Sequence, residues 1–399
     1  MNNFDNAIST PITSSASFAY ASCEEAQNIF NGSCSKPLYS RMGNPTTTIL
    51  EQKLTALEGG VGAVATSSGM GAISMSILAL CSVGDEIIAI GGLFGGSYAL
   101  FSQTLIRYGI KTTFLSADEI DKIEDSITDN TKLIFCESVG NPNLRLPDMK
   151  SIGTIASKND IAFMVDNTST ALIVKPFLYG ADIVSYSTTK VISGNSSALG
   201  GVSIFAALKP EGKFSTKRYE FLKPFIAKLG VKALVGANKK RALRDFGMSA
   251  NANASYQTML GLETLELRTQ RINSSCELIS KALDSVGINV NHPSLAKNCD
   301  NKIYNEYYKN GCGSVITVDM GTKEKAFKFL DASNLLTLTA NIGDSRTLGL
   351  HMASTIYSDF DDKQREFLGI TDGLIRLSIG LENPDDIASD LIFCFEASN

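Results

Sequence analysis

Two stretches of this chain end in residues able to do covalent and acid–base chemistry. Asp182-Ile-Val-Ser-Tyr-Ser-Thr-Thr-Lys190 closes in hydroxyls and one lysine, and Met164-Val-Asp166-Asn167-Thr168 closes around a carboxylate. A lysine amine forms a Schiff base with an aldehyde, and an aspartate holds a protonated pyridine nitrogen. Ser187 and Thr189 flank the lysine with hydroxyls that can bond a phosphate. Upstream, Ser67-Ser68-Gly69-Met70-Gly71 separates an apolar run from a helical one. Glycine there lets the backbone approach an anion, and the N–H groups of a helix start point at it. Amine, carboxylate and phosphate donors together are the requirements of a pyridoxal 5'-phosphate site. Each residue alone has a plainer reading: Lys190 as a solvated loop lysine, Asp166 as a helix cap, Ser187 and Thr189 as partners of local backbone. The turn is not a dinucleotide fingerprint, because Ser74 stands where the third glycine belongs and no acidic residue closes a ribose site.

The elements that must position these residues alternate. Asn44-Pro45 opens a predicted helix, Ile49, Leu50, Leu54 and Leu57 repeat at helical spacing, and Gly59-Gly60 stops it. Strands are predicted over 61–66, 87–90, 111–114, 133–136, 161–165, 182–187 and 202–205. Helices are predicted over 72–80, 98–108, 118–126 and 149–157. Apolar strands alternating with helices predict an α/β domain around a mostly parallel sheet covered on both faces. Lys190 and Asp166 then fall at the carboxyl edge of that sheet, where such folds bind ligands. Beyond Leu260 the texture changes to a long helix over 262–286, strands over 315–318 and 375–379, and helices over 323–330 and 385–395. That predicts a smaller C-terminal α+β domain. The expected division is an N-terminal arm over 1–50, a large cofactor-binding domain over 51–255 and a small domain over 256–399.

The bulk properties narrow the class. The 399 residues are 44% hydrophobic and 19% charged, the make-up of an ordered globular protein. Lys plus Arg number 36 and Asp plus Glu 41, giving a net charge of −5 with no basic run, which argues against nucleic acid as a partner. No apolar run reaches the roughly 18–20 residues of a transmembrane helix, and Met-Asn-Asn-Phe-Asp does not begin a secretory signal. The 8 cysteines include no Cys-x-x-Cys pair, so a reduced, cytoplasmic setting is expected. With only 2 histidines and no ligand-spaced cluster, no metal site is expected.

The chain resembles the Cys/Met-metabolism family of pyridoxal-phosphate enzymes from Pro11 to about Leu391. The motifs that carry this are Tyr39-Ser-Arg41-Met-Gly-Asn-Pro45-Thr, Ser67-Ser-Gly-Met70, Val165-Asp-Asn-Thr168, Ser187-Thr-Thr-Lys190, Gly261-Leu-Glu-Thr-Leu265 and Ile375-Arg-Leu-Ser-Ile-Gly-Leu-Glu382. The resemblance implies the fold type I, aminotransferase-like architecture. It implies that Lys190 is the Schiff-base lysine and proton shuttle, and that Lys190, Phe94 and Tyr39 form the catalytic set. Asp166 would pair with the pyridine nitrogen. Ser68, Gly69, Met70, Ser187 and Thr189 would hold the phosphate, Asn141 would touch the phenolic oxygen, and Phe94 would stack on the ring. Tyr39 and Arg41 would reach the cofactor of a neighbouring subunit, so that the site is shared across a dimer within a homotetramer. Arg376, Asn341 and Tyr39 would bind the substrate, with Arg376 as a bidentate clamp on its α-carboxylate.

Within the family the sequence is most similar to O-acetylhomoserine sulfhydrylases. The stretches responsible are Arg244 to Thr264, and Thr339-Ala-Asn-Ile-Gly-Asp344-Ser-Arg-Thr-Leu-Gly-Leu-His351-Met-Ala-Ser-Thr355; cystathionine enzymes usually carry Glu-Ser at Ala340-Asn341. This implies γ-replacement on O-acetylhomoserine by sulfide or a thiol, giving homocysteine or methionine plus acetate. The alternatives are a γ- or β-lyase and a diverged cofactor-binding paralogue. Four departures from the family pattern bear on that choice. Phe94 replaces the usual ring-stacking tyrosine and cannot exchange a proton. Gly194-Asn195-Ser196 replaces Gly-His-Gly, and Thr13-Ser14 replaces Tyr-Gln. Gly96 stands at the position of the methionine γ-lyase cysteine, which argues against that activity.

Overall fold

The computed structural model describes residues 7–209 and 211–398; the first six residues of the expected arm, on which the signal-peptide reading rests, lie outside that range. Among the described residues, twelve strands form two sheets. The first contains β1 (Gly62–Thr66), β2 (Glu86–Ile90), β3 (Lys111–Leu115), β4 (Thr131–Glu137), β5 (Ala162–Asp166), β6 (Ile183–Ser187) and β7 (Gly201–Phe205), in the order β1-β7-β6-β5-β4-β2-β3. β7 is antiparallel to both its neighbours, and the pairs from β6 to β3 are parallel. The second contains β8 (Val290–Asn291), β9 (Val315–Asp319), β10 (Thr337–Leu338), β11 (Leu348–His351) and β12 (Leu374–Ser378), in the order β10-β11-β12-β9-β8.

Successive residues of the large sheet feed two different cores. Ile87, Ala89, Leu133, Phe135 and Met164 point to one face, and Ile88, Ile90, Ile134, Phe163 and Val165 to the other. Side chains alternate across a strand, so a sheet covered on both sides must be apolar at every position. The small sheet buries Ile316, Val318, Ile375 and Leu377 against the helices Leu265–Ser285, Lys323–Ala332 and Pro384–Ser398.

The helix boundaries follow their local signals closely. Asn44 caps Pro45–Glu58 by accepting from Thr46 N at 3.0 Å, and Gly59 ends it at φ +84°. One expected helix fails, and two others form with a difference. The helix expected over 98–108 runs from Gly95 to Arg107, with a widened turn at Leu100–Thr104 inside it. The acidic segment 118–126 holds two short 3₁₀ turns, Ile120–Lys122 and Glu124–Ser126, because it offers too little apolar surface for a longer helix. The long helix expected over 262–286 is present as Leu265–Ser285, and an unexpected helix, Ala252–Leu262, precedes it across Glu263-Thr264.

Gly261 faces the segment after Lys190 so closely that a Cβ would lie 2.5 Å from the carbonyl oxygens of Ile192 and Ser193. Arg268, one turn further on, donates to the carbonyls of Val191, Ile192 and Gly261 at 2.8, 3.1 and 2.7 Å. The Gly261-Leu-Glu-Thr-Leu265 motif therefore clamps the backbone that carries Lys190.

Candidate active site

A cavity of about 220 Å³ opens at the carboxyl edge of the large sheet. The segments following β1, β2, β4, β5 and β6 supply one wall, including Gly69, Phe94, Glu137, Asp166 and Lys190. The small sheet closes the other wall with Ala340 and Ile342, between β10 and β11, and with Arg376 on β12.

One region of it lies at the start of the Gly69–Leu80 helix. Ser68 Oγ accepts from Gly71 N at 3.0 Å, and no partner for the N–H groups of Gly69 or Met70 is present among the described residues. A Cβ on Gly69 would sit 2.6 Å from Ser187 Cβ, so only glycine lets this turn pack against the end of β6. Ser187 and Thr189 line the cavity here. Thr189 Oγ also accepts from Gly200 N at 3.0 Å, the local use its type suggested.

A second region of the same cavity is acidic. Asp166 Oδ1 accepts from Thr168 N at 2.9 Å and Thr168 Oγ at 2.6 Å, and Oδ2 is left without a partner among the described residues. The reading of Asp166 as a helix cap fails, because no helix follows it; its bonds to Thr168 close a local turn and use one oxygen. Burial pushes the Asp166 carboxyl up to about 6, against the pull of Thr168. Glu137 is the register partner of Asp166 on the adjacent strand and so points to the same side. It accepts from Phe94 N at 2.8 Å, and burial followed by the Asp166 charge holds its carboxyl well above the usual range.

A third region is basic, and there Lys190 Nζ donates to Asn341 Oδ1 at 2.6 Å. Burial, then the nearby Arg376 guanidinium, lowers the lysine to about 8. Arg376 is 2% exposed and donates to Asn141 Oδ1 at 3.2 Å and to Asn341 O at 3.4 Å. No carboxylate of the described residues pairs with it, and burial brings it down to about 10. A buried guanidinium bonded only to neutral oxygens has the geometry to bind a carboxylate through paired hydrogen bonds.

The structure brings Ser68, Gly69, Met70, Phe94, Asn141, Asp166, Ser187, Thr189, Lys190 and Arg376 to one cavity, with Asn341 on its edge. Tyr39 and Arg41 do not line it. Tyr39 is 43% exposed, and Arg41 lies over the Tyr39 ring and donates to the carbonyl of Arg244. Asn195, in place of the expected histidine, is exposed and turns its Oδ1 to Ser197 Oγ at 2.6 Å. A Cβ on Gly96 would stand 2.7 Å from the Phe94 ring, so no larger residue fits beneath that ring as placed. Sequence reasoning missed Glu137; its only signal was one acid ending the apolar run Leu-Ile-Phe-Cys.

Anion donors, a buried acid and an amine lining one cavity fit pyridoxal 5'-phosphate, with Arg376 suited to a substrate carboxylate. When bound, that group supplies an electron sink for amino-acid chemistry. Among the described residues no cluster able to hold a metal ion is present.

Comparison with known proteins agrees. The profile of the family described as Cys/Met metabolism PLP-dependent enzyme matches residues 2–396. The chain is 35% identical to homocysteine synthase of Schizosaccharomyces pombe over 97% of this chain and 94% of that one. It is 33% identical to L-methionine gamma-lyase of Fusobacterium nucleatum over 98% and 94%. A Campylobacter jejuni protein assigned as an O-acetylhomoserine (thiol)-lyase, solved with N'-pyridoxyl-lysine-5'-monophosphate, superposes with a TM-score of 0.89 at 31% identity, over 99% of this chain and 96% of that one. The chain belongs to the Cys/Met metabolism family of PLP-dependent enzymes.

Proposed function

We propose that this enzyme catalyses γ-replacement on O-acetylhomoserine, with sulfide or a small thiol displacing acetate to give homocysteine or methionine. The observation that carries this is the placement of Lys190 beside an Arg376 bonded only to neutral oxygens, in a chain similar to a homocysteine synthase and an O-acetylhomoserine (thiol)-lyase. Arg376 binds the α-carboxylate and fixes the amino acid relative to Lys190. Lys190, already brought down to about 8, takes the α-proton and moves it along the substrate. Phe94 offers a flat apolar face and no proton. Acetate is a good leaving group and needs little acid help, so Phe94 suits this substrate better than one that expels a thiolate.

The phosphate region of one protomer is completed, in this reading, by Tyr39 and Arg41 of a second copy. Their exposure outside their own cavity supports a dimeric active unit, paired into a tetramer. Eight free cysteines support a reduced, cytoplasmic setting.

The rival reading is elimination, favoured by the similarity to a methionine gamma-lyase. Cofactor-loaded protein is incubated with O-acetylhomoserine, with and without sulfide, and the amino-acid product identified. Homocysteine appearing only with sulfide is expected. A keto acid formed at the same rate in both mixtures overturns replacement in favour of lyase chemistry.

A further inference from the structure

A line of hydrogen bonds leads out of the cavity from Lys190, and the reaction described above uses only its first link. Lys190 Nζ donates to Asn341 Oδ1 at 2.6 Å, and Asn341 Nδ2 donates to Ser196 Oγ at 2.8 Å. Ser196 Oγ donates in turn to Asp344 Oδ2. Asp344 is held from its other side by Arg346, through Nε at 2.8 Å and a terminal nitrogen at 3.1 Å.

The donors and acceptors of this line have one consistent arrangement. The lysine only offers hydrogens here, which turns the amide oxygen of Asn341 toward it. The amide nitrogen must then find an acceptor, and Ser196 Oγ is one that still has a hydrogen to give. Asp344, ionised beside Arg346, only accepts. The line also joins the two sheets: Lys190 and Ser196 follow β6, and Asn341 and Asp344 lie between β10 and β11.

Ser196 sits at φ +58°, a left-handed conformation that glycine takes freely and serine does not. A strained backbone persists where its surroundings over-determine it, and such residues gather at working sites. Here the strained position is the one that presents a hydroxyl between Asn341 and Asp344.

We propose that Ser196 is a positioning residue: its hydroxyl, anchored on Asp344, holds the Asn341 amide with its oxygen on Lys190 Nζ. It thereby sets the protonation and aim of the lysine that moves the substrate proton. The inference rests on the reading of Lys190 as the proton carrier.

Two variants test it in the holoenzyme. Ser196→Gly removes the hydroxyl and relieves the backbone, and Ser196→Ala removes the hydroxyl and keeps the strain. Because the Asn341 oxygen favours protonated Nζ, both variants should lower the pH at which the bound cofactor's absorption band changes, by about half a unit. kcat should fall about 5–10-fold with KM within about twofold. Ser196→Gly should at the same time raise Tm by about 1–2 °C, and Ser196→Ala should not. A merely structural serine would not combine a more stable protein with a slower one. Wild-type absorption midpoints in both variants overturn the proposal, whatever happens to Tm. The midpoint is read without substrate, so a shifted midpoint in a protein that ignores O-acetylhomoserine upholds Ser196 and rejects the reaction. An unshifted midpoint in a protein that makes homocysteine does the reverse.

Discussion

The acidic and basic regions of the cavity solve the same physical problem in opposite signs and by different construction. In the acidic region, Asp166 and Glu137 are pushed up toward the neutral form; in the basic region, Lys190 and Arg376 are pushed down toward it. Burial is the leading cause in all four, because a charge out of water is costly until it is paired. The acidic region suits a cation and the basic region an anion. The acidic pair is made within one sheet by adjacent parallel strands in register. The basic pair exists only where two sheets meet, with Lys190 after β6 and Arg376 on β12. Sites whose charges are buried before the ligand arrives give up stability in exchange for affinity and orientation.

Substitutions sharpen that contrast, beginning with the largest effect. Lys190→Ala should abolish the visible absorption of the lysine-bound cofactor and lower turnover by about 10³-fold or more. A variant that kept both would remove the basic region from the chemistry.

Arg376→Lys should come next, raising KM about 100-fold with a smaller change in kcat, because an ammonium cannot make the paired bonds of a guanidinium to a carboxylate. An unchanged KM would place the substrate carboxylate elsewhere.

Asp166→Asn tests the acidic region through stability as well as activity. In the protein without cofactor, the folded carboxyl titrates near 6 and the unfolded one near its ordinary value of 3.8. Between those values the folded state binds more protons, so the stability of wild type falls as pH rises through that window and stays reduced above it. The asparagine variant lacks this loss. Denaturant melts of apoprotein should therefore show it more stable by about 1–3 kcal/mol at pH 8 and by little at pH 4. With cofactor loaded, the variant should instead be about 100-fold less active. Equal apoprotein stabilities at pH 8 would mean the acidic region carries no buried charge.

The smallest effect concerns the cavity wall. Gly96→Ala places a Cβ 2.7 Å from the Phe94 ring and should displace it, weakening cofactor binding about 3–10-fold by equilibrium titration while leaving Tm within a few degrees. Wild-type affinity would show that the ring's position contributes nothing.

Much of this was legible before any coordinates. The apolar runs that became β2, β4 and β5 needed only their composition, since strands covered on both faces leave no polar position. The Asn44-Pro45 start and Gly59 stop carried their own cap chemistry. Lys190, Asp166 and the Gly69 turn were readable because strand ends of one parallel sheet meet at one edge. The two-residue strands β8 and β10 were not readable, for a run of two has no period. Nor was the widened turn at Leu100–Thr104, or the failure of 118–126 to form a helix, because packing decides such local departures.

The sequence by itself determined the large sheet, its ligand-binding edge and the chemical types that gather there. Those depend on local periodicity and on residues sitting at the ends of their own strands. Only the tertiary structure decided that Glu137 stands beside Asp166, that Arg376 bonds only to neutral oxygens, and that Ser196 meets Asn341 145 positions further along the chain. Each of those facts is a distance between segments remote in sequence. Such distances follow from how two sheets close on one another, which no single stretch of residues encodes.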